Sequence, residues 1–197
     1  PYHTESEWAA EELKKRTNGK LDIQVFPASS PGKETDINQG MTLGTVDMII
    51  SGPSFAARSY PRIGIAYYPF IFRDADHLLA YSKSPVFKEM IDGYREKTGI
   101  QILAYTYYGA RHTTAQKPFT DCAGMKGIKI RVPDVPAYRA TPESCGANPT
   151  PIAFAEVYLA LQNGTVEAQE NPLPTIDAKK FYEVQKYIVL TGHITDA

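Results

Sequence analysis

A regular alternation of helix-like and strand-like segments is the feature of this 197-residue chain that most constrains its fold. Patterns with one apolar and one charged face predict helices at residues 4–16, 34–43, 75–81, 85–97 and 154–161. Apolar or alternating segments predict strands at residues 21–26, 46–50, 100–107, 128–132 and 165–169. This order predicts an α/β protein whose sheets are mostly parallel.

The ends of the predicted strands are the first place to look for a site. In open α/β sheets, ligands bind beyond the carboxyl ends of the strands. The segments that follow or end the predicted strands are therefore candidates, and they lie at residues 51–54, 107–112, 131–134 and 169–171.

The overall charge argues against one large class of partner. The chain has 21 Lys and Arg residues against 22 Asp and Glu residues, so it has no basic excess to neutralise phosphates. It also has no run of about 18 apolar residues, the length that a membrane-spanning helix needs. We therefore expect a folded, near-neutral protein that neither binds nucleic acid nor inserts into a membrane.

Sequence signatures of enzymes are absent. No glycine-rich dinucleotide or P-loop motif occurs, and the four histidines have no metal-ligand spacing. Ser51 begins a Ser-Gly-Pro-Ser turn, which lacks the second glycine of a nucleophile elbow. Asp134 and Glu170 are expected to be surface or capping groups rather than an acid/base pair. The sequence predicts no enzymatic activity, no cofactor and no metal site.

Two arginines indicate an anion site instead. Arg131 lies at the carboxyl end of the predicted strand 128–132, which Pro133 terminates. Its planar guanidinium matches a carboxylate with two parallel hydrogen bonds. Arg111 follows the predicted strand 100–107. Either arginine alone is more often a surface charge, but two of them in loops that share one cleft favour anion binding.

Three spaced stretches, residues 127–133, 146–151 and 153–172, make the chain resemble the solute-binding proteins of TRAP transporters, the DctP-like family. The resemblance covers essentially the whole chain. It implies a two-lobed, type II-like periplasmic binding protein in which helices flank a mostly parallel sheet in each lobe. Such a protein would act as a monomer that closes on an organic acid and delivers it to the TRAP membrane subunits.

The resemblance also implies roles for individual residues. Arg131 matches the carboxylate-clamping arginine of the family and Arg111 its second ligand arginine. Asn171 matches the ligand asparagine, and Phe154 the ring that packs beside the carboxylate, although a position in the helix core is the other interpretation of Phe154. Weaker ligand candidates are Ser51 and His3. His112, beside Arg111, is at least as consistent with a structural role.

The identity of the acid stays open between two classes. The stretches around Arg111 and Phe154 are most similar to the branch that binds sugar acids, such as uronates or diketogulonate. Surplus tyrosines near strand ends are candidate donors for a polyol: Tyr67, Tyr68, Tyr105, Tyr107 and Tyr108. A C4-dicarboxylate is the alternative, because two arginines could bind its two carboxylates. An enzyme acting on a sugar acid and a sensory module that presents the bound ligand are further alternatives.

The resemblance places residues 1–108 in the opening segment of one lobe and 109–197 in that of the other. Relative to the family pattern, a first strand, the return segments and a hinge-spanning helix are absent from this sequence. The two cysteines, Cys122 and Cys145, lie before the strand 128–132 and at the end of the following helix. By count alone they are as consistent with free thiols as with a bond, but a periplasmic location makes a disulfide between them a reasonable hypothesis.

Overall fold

The computed structural model describes residues 2–197 of the chain. Their contacts separate an N-terminal unit ending at Gly32 from a second unit spanning Lys33–Ala197. The N-terminal unit contains helix α1, Tyr2–Arg16, which is followed by left-handed backbone at Asn18 and Gly19. No described side chain of α1 is buried, and the stripe that includes Trp8 is exposed, with 64% of Trp8 accessible to solvent.

Seven α-helices lie in the second unit. They are α2 Glu34–Leu43, α3 Pro53–Ala56, α4 Ala75–Ser82, α5 Pro85–Thr98, α6 Pro136–Ser144, α7 Val157–Gln162 and α8 Leu173–Ala178. Those at residues 34–43, 75–82, 85–98 and 157–162 match predicted helices, whereas those at 53–56 and 173–178 were not predicted. Local chemistry sets several of their ends. The Ser84 hydroxyl accepts a hydrogen bond from the Phe87 backbone N–H at 3.1 Å and so caps α5, and left-handed Gly99 ends that helix.

One five-stranded sheet organises the second unit, in the spatial order β3-β2-β4-β1-β5. Its strands are β1 Gly109–Ala115, β2 Lys129–Val132, β3 Asn148–Pro151, β4 Ala168–Pro172 and β5 Tyr187–Asp196. Strand β2 is parallel to both β3 and β4, whereas β1 is antiparallel to β4 and β5. The α/β class predicted from the alternation is confirmed, and the expected mostly parallel sheet is a mixed one.

The prediction of strands at residues 21–26, 46–50 and 100–107 was wrong, since these segments pair with no strand among residues 2–197. A strand requires a partner for its backbone hydrogen bonds, and apolar alternation alone does not supply one. Instead, the chain enters the sheet just afterwards, at Gly109. Arg111 therefore lies within β1 rather than in a loop, and Asn171 lies within β4.

The core that supports the site lies on one face of β2 and beneath α6. Buried apolar and aromatic side chains meet there: Phe55, Tyr67, Val132, Val135, Tyr138 and Ile194. A second cluster joins α7 and α8: Val157, Ala160, Leu161, Val166, Ile176 and Phe181. Because both clusters pack against the sheet, the carboxyl ends of β2 and β4 are held by close-packed surroundings.

A disulfide joins Cys122 to Cys145, with their Cα atoms 4.9 Å apart. The hypothesis of a bond between the two cysteines is thereby confirmed, and the alternative of two free thiols is wrong. The bond ties the 3₁₀ turn Cys122–Met125, which precedes β2, to the end of α6. It therefore closes the β2–α6 segment that carries Arg131. The predicted lobe boundary between residues 108 and 109 stays a prediction.

Candidate functional site

Arg131 lies in β2, with Thr150 of β3 and Gln169 of β4 as its paired neighbours. Only 3% of the residue is exposed. Its Nε–H donates to the Ile152 carbonyl oxygen at 2.9 Å. Within the part of the chain that the structure describes, the two terminal nitrogens, Nη1 and Nη2, have no hydrogen-bond acceptor. Two donor groups of a buried cation are therefore left for a ligand.

The lack of acceptors for the terminal nitrogens of Arg131 among the described residues is energetically unfavourable, because the group is charged and buried. Burial, and to a smaller extent the neighbouring charge of Arg111, lowers the pKa of Arg131 to about 10. The side chain is therefore still protonated near neutral pH, and a buried charge without a close counter-ion is unfavourable. A carboxylate that reached Nη1 and Nη2 would relieve this cost with two charge-assisted hydrogen bonds.

A cavity of about 220 Å³ opens at Arg131. The residues that line it are Lys33, Glu34, Thr35, Phe55, Arg131, Pro133, Asp134, Pro151, Ile152, Ala153, Phe154 and Glu156. The centroid of the Phe154 ring lies 6.0 Å from Cζ of Arg131 and 5.0 Å from Nζ of Lys179. This space admits a molecule of several non-hydrogen atoms.

Arg111 is buried beside this cavity, but its hydrogen-bond donors already have protein partners. Its Nε and Nη2 donate hydrogen bonds to the Glu170 carboxylate at 2.5 and 3.0 Å, and its Nη1 donates to Asp196 at 2.6 Å. Nη2 also donates to the Asn171 side-chain oxygen at 3.1 Å. The ring of Tyr138 lies 4.8 Å from the guanidinium carbon. The positive charge of Arg111 is thus balanced within the protein.

Asn171 and Glu170 belong to this same polar network in β4. The Asn171 amide nitrogen donates to the Gln169 side-chain oxygen at 2.6 Å, so the amide has protein partners on both its oxygen and its nitrogen. Glu170 is fully buried and lies 3.3 Å from His193 Nε2. The expectation that Glu170 is a surface or capping group was wrong, because the antiparallel β1–β4 pairing brings it to Arg111 in the interior.

Glu34 is a site residue that sequence reasoning missed. It lies half-buried in the first turn of α2 and lines the cavity together with Arg131. Its Oε1 accepts a hydrogen bond from the Ser51 hydroxyl at 3.1 Å, and Ser51 in turn accepts one from the Asn38 amide at 3.2 Å. Burial raises the pKa of Glu34, while the Ser51 hydrogen bond and then the charges of Arg131 and Arg111 oppose the increase. In the sequence, an acid in the first turn of a helix indicates only a favourable helix-dipole position.

The weaker candidates have different surroundings. Ser51 orients Glu34, as described above. His3 belongs to the N-terminal unit, where its exposed ring lies 3.5 Å from Glu7. His112 accepts a hydrogen bond from the Gly192 backbone N–H at 3.1 Å, which is a structural contact. The roles of Ser51 and His3 as ligand residues stay predictions.

Three of the five tyrosines that were candidate donors for a polyol pack in other places, whereas Tyr68 and Tyr107 are exposed. Tyr67 is a core residue in edge contact with Tyr138, and Tyr105 packs between Tyr81 and Phe87. The Tyr108 hydroxyl lies 3.0 Å from the Thr175 hydroxyl. Their abundance in the sequence therefore reflects packing around the sheet at these positions.

Among residues 2–197, no three His, Cys, Asp or Glu side chains converge in an arrangement that could hold a metal ion. None of the described helices combines the length and the apolar character that crossing a bilayer requires.

The structure is that of an α/β protein with a buried arginine at a small cavity. The chain belongs to the DctP family, described as bacterial extracellular solute-binding protein, family 7, which it matches over residues 1–197. A solute-binding protein of Roseobacter denitrificans is 38% identical over 93% of this chain and 56% of its own length. The 2,3-diketo-L-gulonate-binding periplasmic protein YiaO of Escherichia coli is 37% identical over 92% of this chain and 55% of its own.

Solved structures show the same fold. A TRAP periplasmic solute-binding protein from Roseobacter denitrificans with bound L-galactonate has a TM-score of 0.89 and 37% identity, covering 95% of this chain and 62% of that one. One from Xanthobacter autotrophicus with β-D-galacturonate has a TM-score of 0.88 at 33% identity, with coverage of 95% and 62%. One from Sulfurospirillum deleyianum with succinate has a TM-score of 0.90 at 32% identity, with coverage of 97% and 62%. The chain thus spans about 55–62% of the length of these relatives.

Proposed function

We propose that the protein captures an organic acid, in particular a sugar acid such as a uronate or diketogulonate, in the periplasm and delivers it to the membrane subunits of a TRAP transporter. One observation carries the proposal. The buried Arg131 lines a small cavity, and the two terminal nitrogens of its guanidinium have no acceptor among the described residues. A ligand carboxylate is the group whose geometry and charge match this fork.

Phe154 supports the same interpretation. Its ring borders the cavity beside the guanidinium and excludes water from one side. Lower local dielectric strengthens the attraction between a bound carboxylate and Arg131. In the proposed complex, Arg131 supplies the fork and Phe154 the apolar wall, while Arg111 and Asn171 stay proposed ligand residues that would have to share their present partners with the ligand.

The relatives support the class of ligand and the location. Family membership indicates an extracellular solute-binding protein, and the names of similar proteins and structures include diketogulonate, galactonate and galacturonate as ligands. We further propose that the protein binds its ligand as a monomer without altering it chemically. A C4-dicarboxylate is the second candidate, because a structure of similar fold contains succinate. Product formation from a uronate would instead establish an enzyme.

The test is a thermal-shift and calorimetric comparison of wild type with Arg131→Ala, using D-galacturonate, L-galactonate, 2,3-diketo-L-gulonate and succinate. At a ligand concentration of about 100 Kd, binding stabilises the wild type by about 2.7 kcal/mol by mass action. We expect Arg131→Ala to lose this shift. Arg131→Lys, which keeps the charge but not the fork, should weaken binding at least about tenfold.

Arg139→Ala is the matched control, because Arg139 lies on the exposed surface of α6, where it pairs with Glu143 at 2.9 Å. This variant should bind like the wild type. Unchanged affinity in a folded Arg131→Ala variant would overturn the proposed clamp.

A further inference from the structure

The cavity contains two buried or half-buried charged groups of opposite sign, which differ in what they can bind. Arg131 offers two free hydrogen-bond donors. Glu34 offers an acceptor, since its Oε1 is held by Ser51 while its Oε2 has no donor among the residues that the structure describes. Both side chains line the same cavity. The cavity therefore presents a cationic fork and an anionic acceptor to a single small ligand.

Arg111 does not provide a second free cation. Glu170, Asp196 and Asn171 accept from its guanidinium, and 5% of the residue is exposed. The remaining charges of the lining are one lysine, Lys33, and two acids, Asp134 and Glu156, and all three are exposed at the rim. Solvent screens charges at such positions, so their influence on a bound ligand is small. The interior thus compensates one ligand carboxylate rather than two.

A chain of hydrogen bonds holds the Glu34 carboxylate in position. The Asn38 amide donates both to the Glu34 carbonyl oxygen, at 2.9 Å, and to Ser51, whose hydroxyl donates to the Glu34 carboxylate. This chain of hydrogen bonds orients the carboxylate before a ligand arrives. An oriented acceptor forms a good hydrogen bond with a ligand hydroxyl, whereas a second ligand carboxylate near it would meet a like charge.

We propose that Glu34 makes the site selective for monocarboxylates that carry hydroxyl groups away from the carboxylate, by accepting a hydrogen bond from such a hydroxyl and repelling a second carboxylate. The inference rests on the proposed function, in which Arg131 binds the ligand carboxylate. It assigns Glu34 as a specificity-determining residue and disfavours the C4-dicarboxylate alternative for this chain.

Two ligands of equal chain length provide the sharpest test. L-Galactonate ends in a hydroxymethyl group, and galactarate has a second carboxylate at that position. Isothermal titration at about pH 8 favours the ionised form of Glu34 against the effect of burial on its pKa. We expect the wild type to bind galactonate at least about tenfold more tightly than galactarate.

The variant Glu34→Gln keeps the size of the side chain and removes its charge. It should reduce the galactonate-to-galactarate affinity ratio at least about tenfold, while Glu143→Gln, on the exposed face of α6, should leave the ratio within about twofold of the wild type. Residual galactonate binding and the thermal unfolding curve report whether Glu34→Gln is folded. Should that variant fail to fold, equal affinity of the wild type for the two acids would still overturn the inference.

The outcomes separate the two proposals. Equal affinity of the wild type for both acids, or an unchanged ratio in folded Glu34→Gln, would overturn this inference and leave the proposed function intact. If the wild type bound none of the sugar acids or dicarboxylates, the proposed function would fail, and the assignment of Glu34 with it.

Discussion

Arg111 and Arg131 show, at the scale of single residues, how the same side chain serves two different purposes within one polar region. Both guanidinium groups are buried, with 5% and 3% of the residue exposed. Arg111 pairs with the Glu170 carboxylate and donates to Asp196, whereas Arg131 donates to one backbone carbonyl among the described residues. Replacement of Arg111 should therefore affect stability, and replacement of Arg131 should affect binding.

We expect Arg111→Met to lower the free energy of unfolding by about 3–5 kcal/mol, because removing one partner of a buried ion pair leaves the other charge uncompensated. Here Glu170 is the carboxylate left without its Arg111 partner, and Asp196 loses the hydrogen bond from Nη1. Urea denaturation followed by circular dichroism measures the change.

Arg62→Met is the control for this prediction, since Arg62 pairs with Glu89 at 2.8 Å on the surface, where both side chains are 61% exposed. Its effect on stability should be much smaller. If Arg111→Met were as stable as this control, the buried network would not have the structural role assigned to it.

At the scale of secondary-structure elements, the β2–α6 segment is the part of the fold that carries Arg131, and the disulfide closes it. Cys122 and Cys145 are separated by 23 positions and are the two cysteines of the chain. A cross-link over a loop of this length reduces the conformational entropy of the unfolded chain. The bond should therefore stabilise the segment without contributing to the cavity lining.

We expect the double variant Cys122→Ser/Cys145→Ser to be less stable than the wild type by about 3 kcal/mol, a decrease in Tm of about 6–12 °C. Differential scanning calorimetry with and without dithiothreitol measures it. The reductant should lower the Tm of the wild type and leave that of the double variant unchanged. A wild-type Tm that is insensitive to reductant, once free thiols are detected, would contradict the prediction.

Local sequence patterns predicted helices better than they predicted strands. Helices α2 and α5 were predictable almost to the residue, because caps and left-handed glycines set their ends within a few positions. The segments at residues 46–50 and 100–107 have equally clear strand patterns but no partner strand among residues 2–197. Strand formation depends on backbone groups far away in sequence, so alternation alone could not decide it.

At the scale of the whole molecule, the second unit combines a mixed sheet with a charged cavity at the end of β2. Charges in such a cavity affect the stability of the entire cooperative unit through proton linkage. Glu34 is the acid whose ionisation couples the cavity to stability, since burial raises its pKa above the ordinary value of 4.5.

The raised pKa of Glu34 determines the sign of a pH effect. The protonated acid stabilises the folded state at pH values below the unfolded pKa, and this contribution is lost as the pH increases through the raised folded pKa. Glu34→Gln lacks the ionisation. The Tm of the ligand-free variant should therefore be close to that of the wild type at about pH 4 and higher than it above neutral pH.

Thermal unfolding of both proteins between about pH 4 and pH 8, without ligand, measures this difference. Glu143→Gln again serves as the control, because Glu143 is half exposed and paired with Arg139 on the surface. A Tm difference between Glu34→Gln and the wild type that stayed constant across the range would show that Glu34 does not titrate in the folded protein as inferred.

The sequence by itself determined the α/β class, most helices, the strand that carries Arg131 and the family resemblance, because these depend on local periodicity, capping and contiguous motifs. Only the tertiary structure decided that Glu170 pairs with Arg111, that the terminal nitrogens of Arg131 have no acceptor among residues 2–197, and that Glu34 lines the same cavity as Arg131. The physical reason is that a charged side chain acquires its role from the groups that surround it after folding. Those groups come from β1, β4, β5 and α2, which are distant in sequence and meet only when the chain folds.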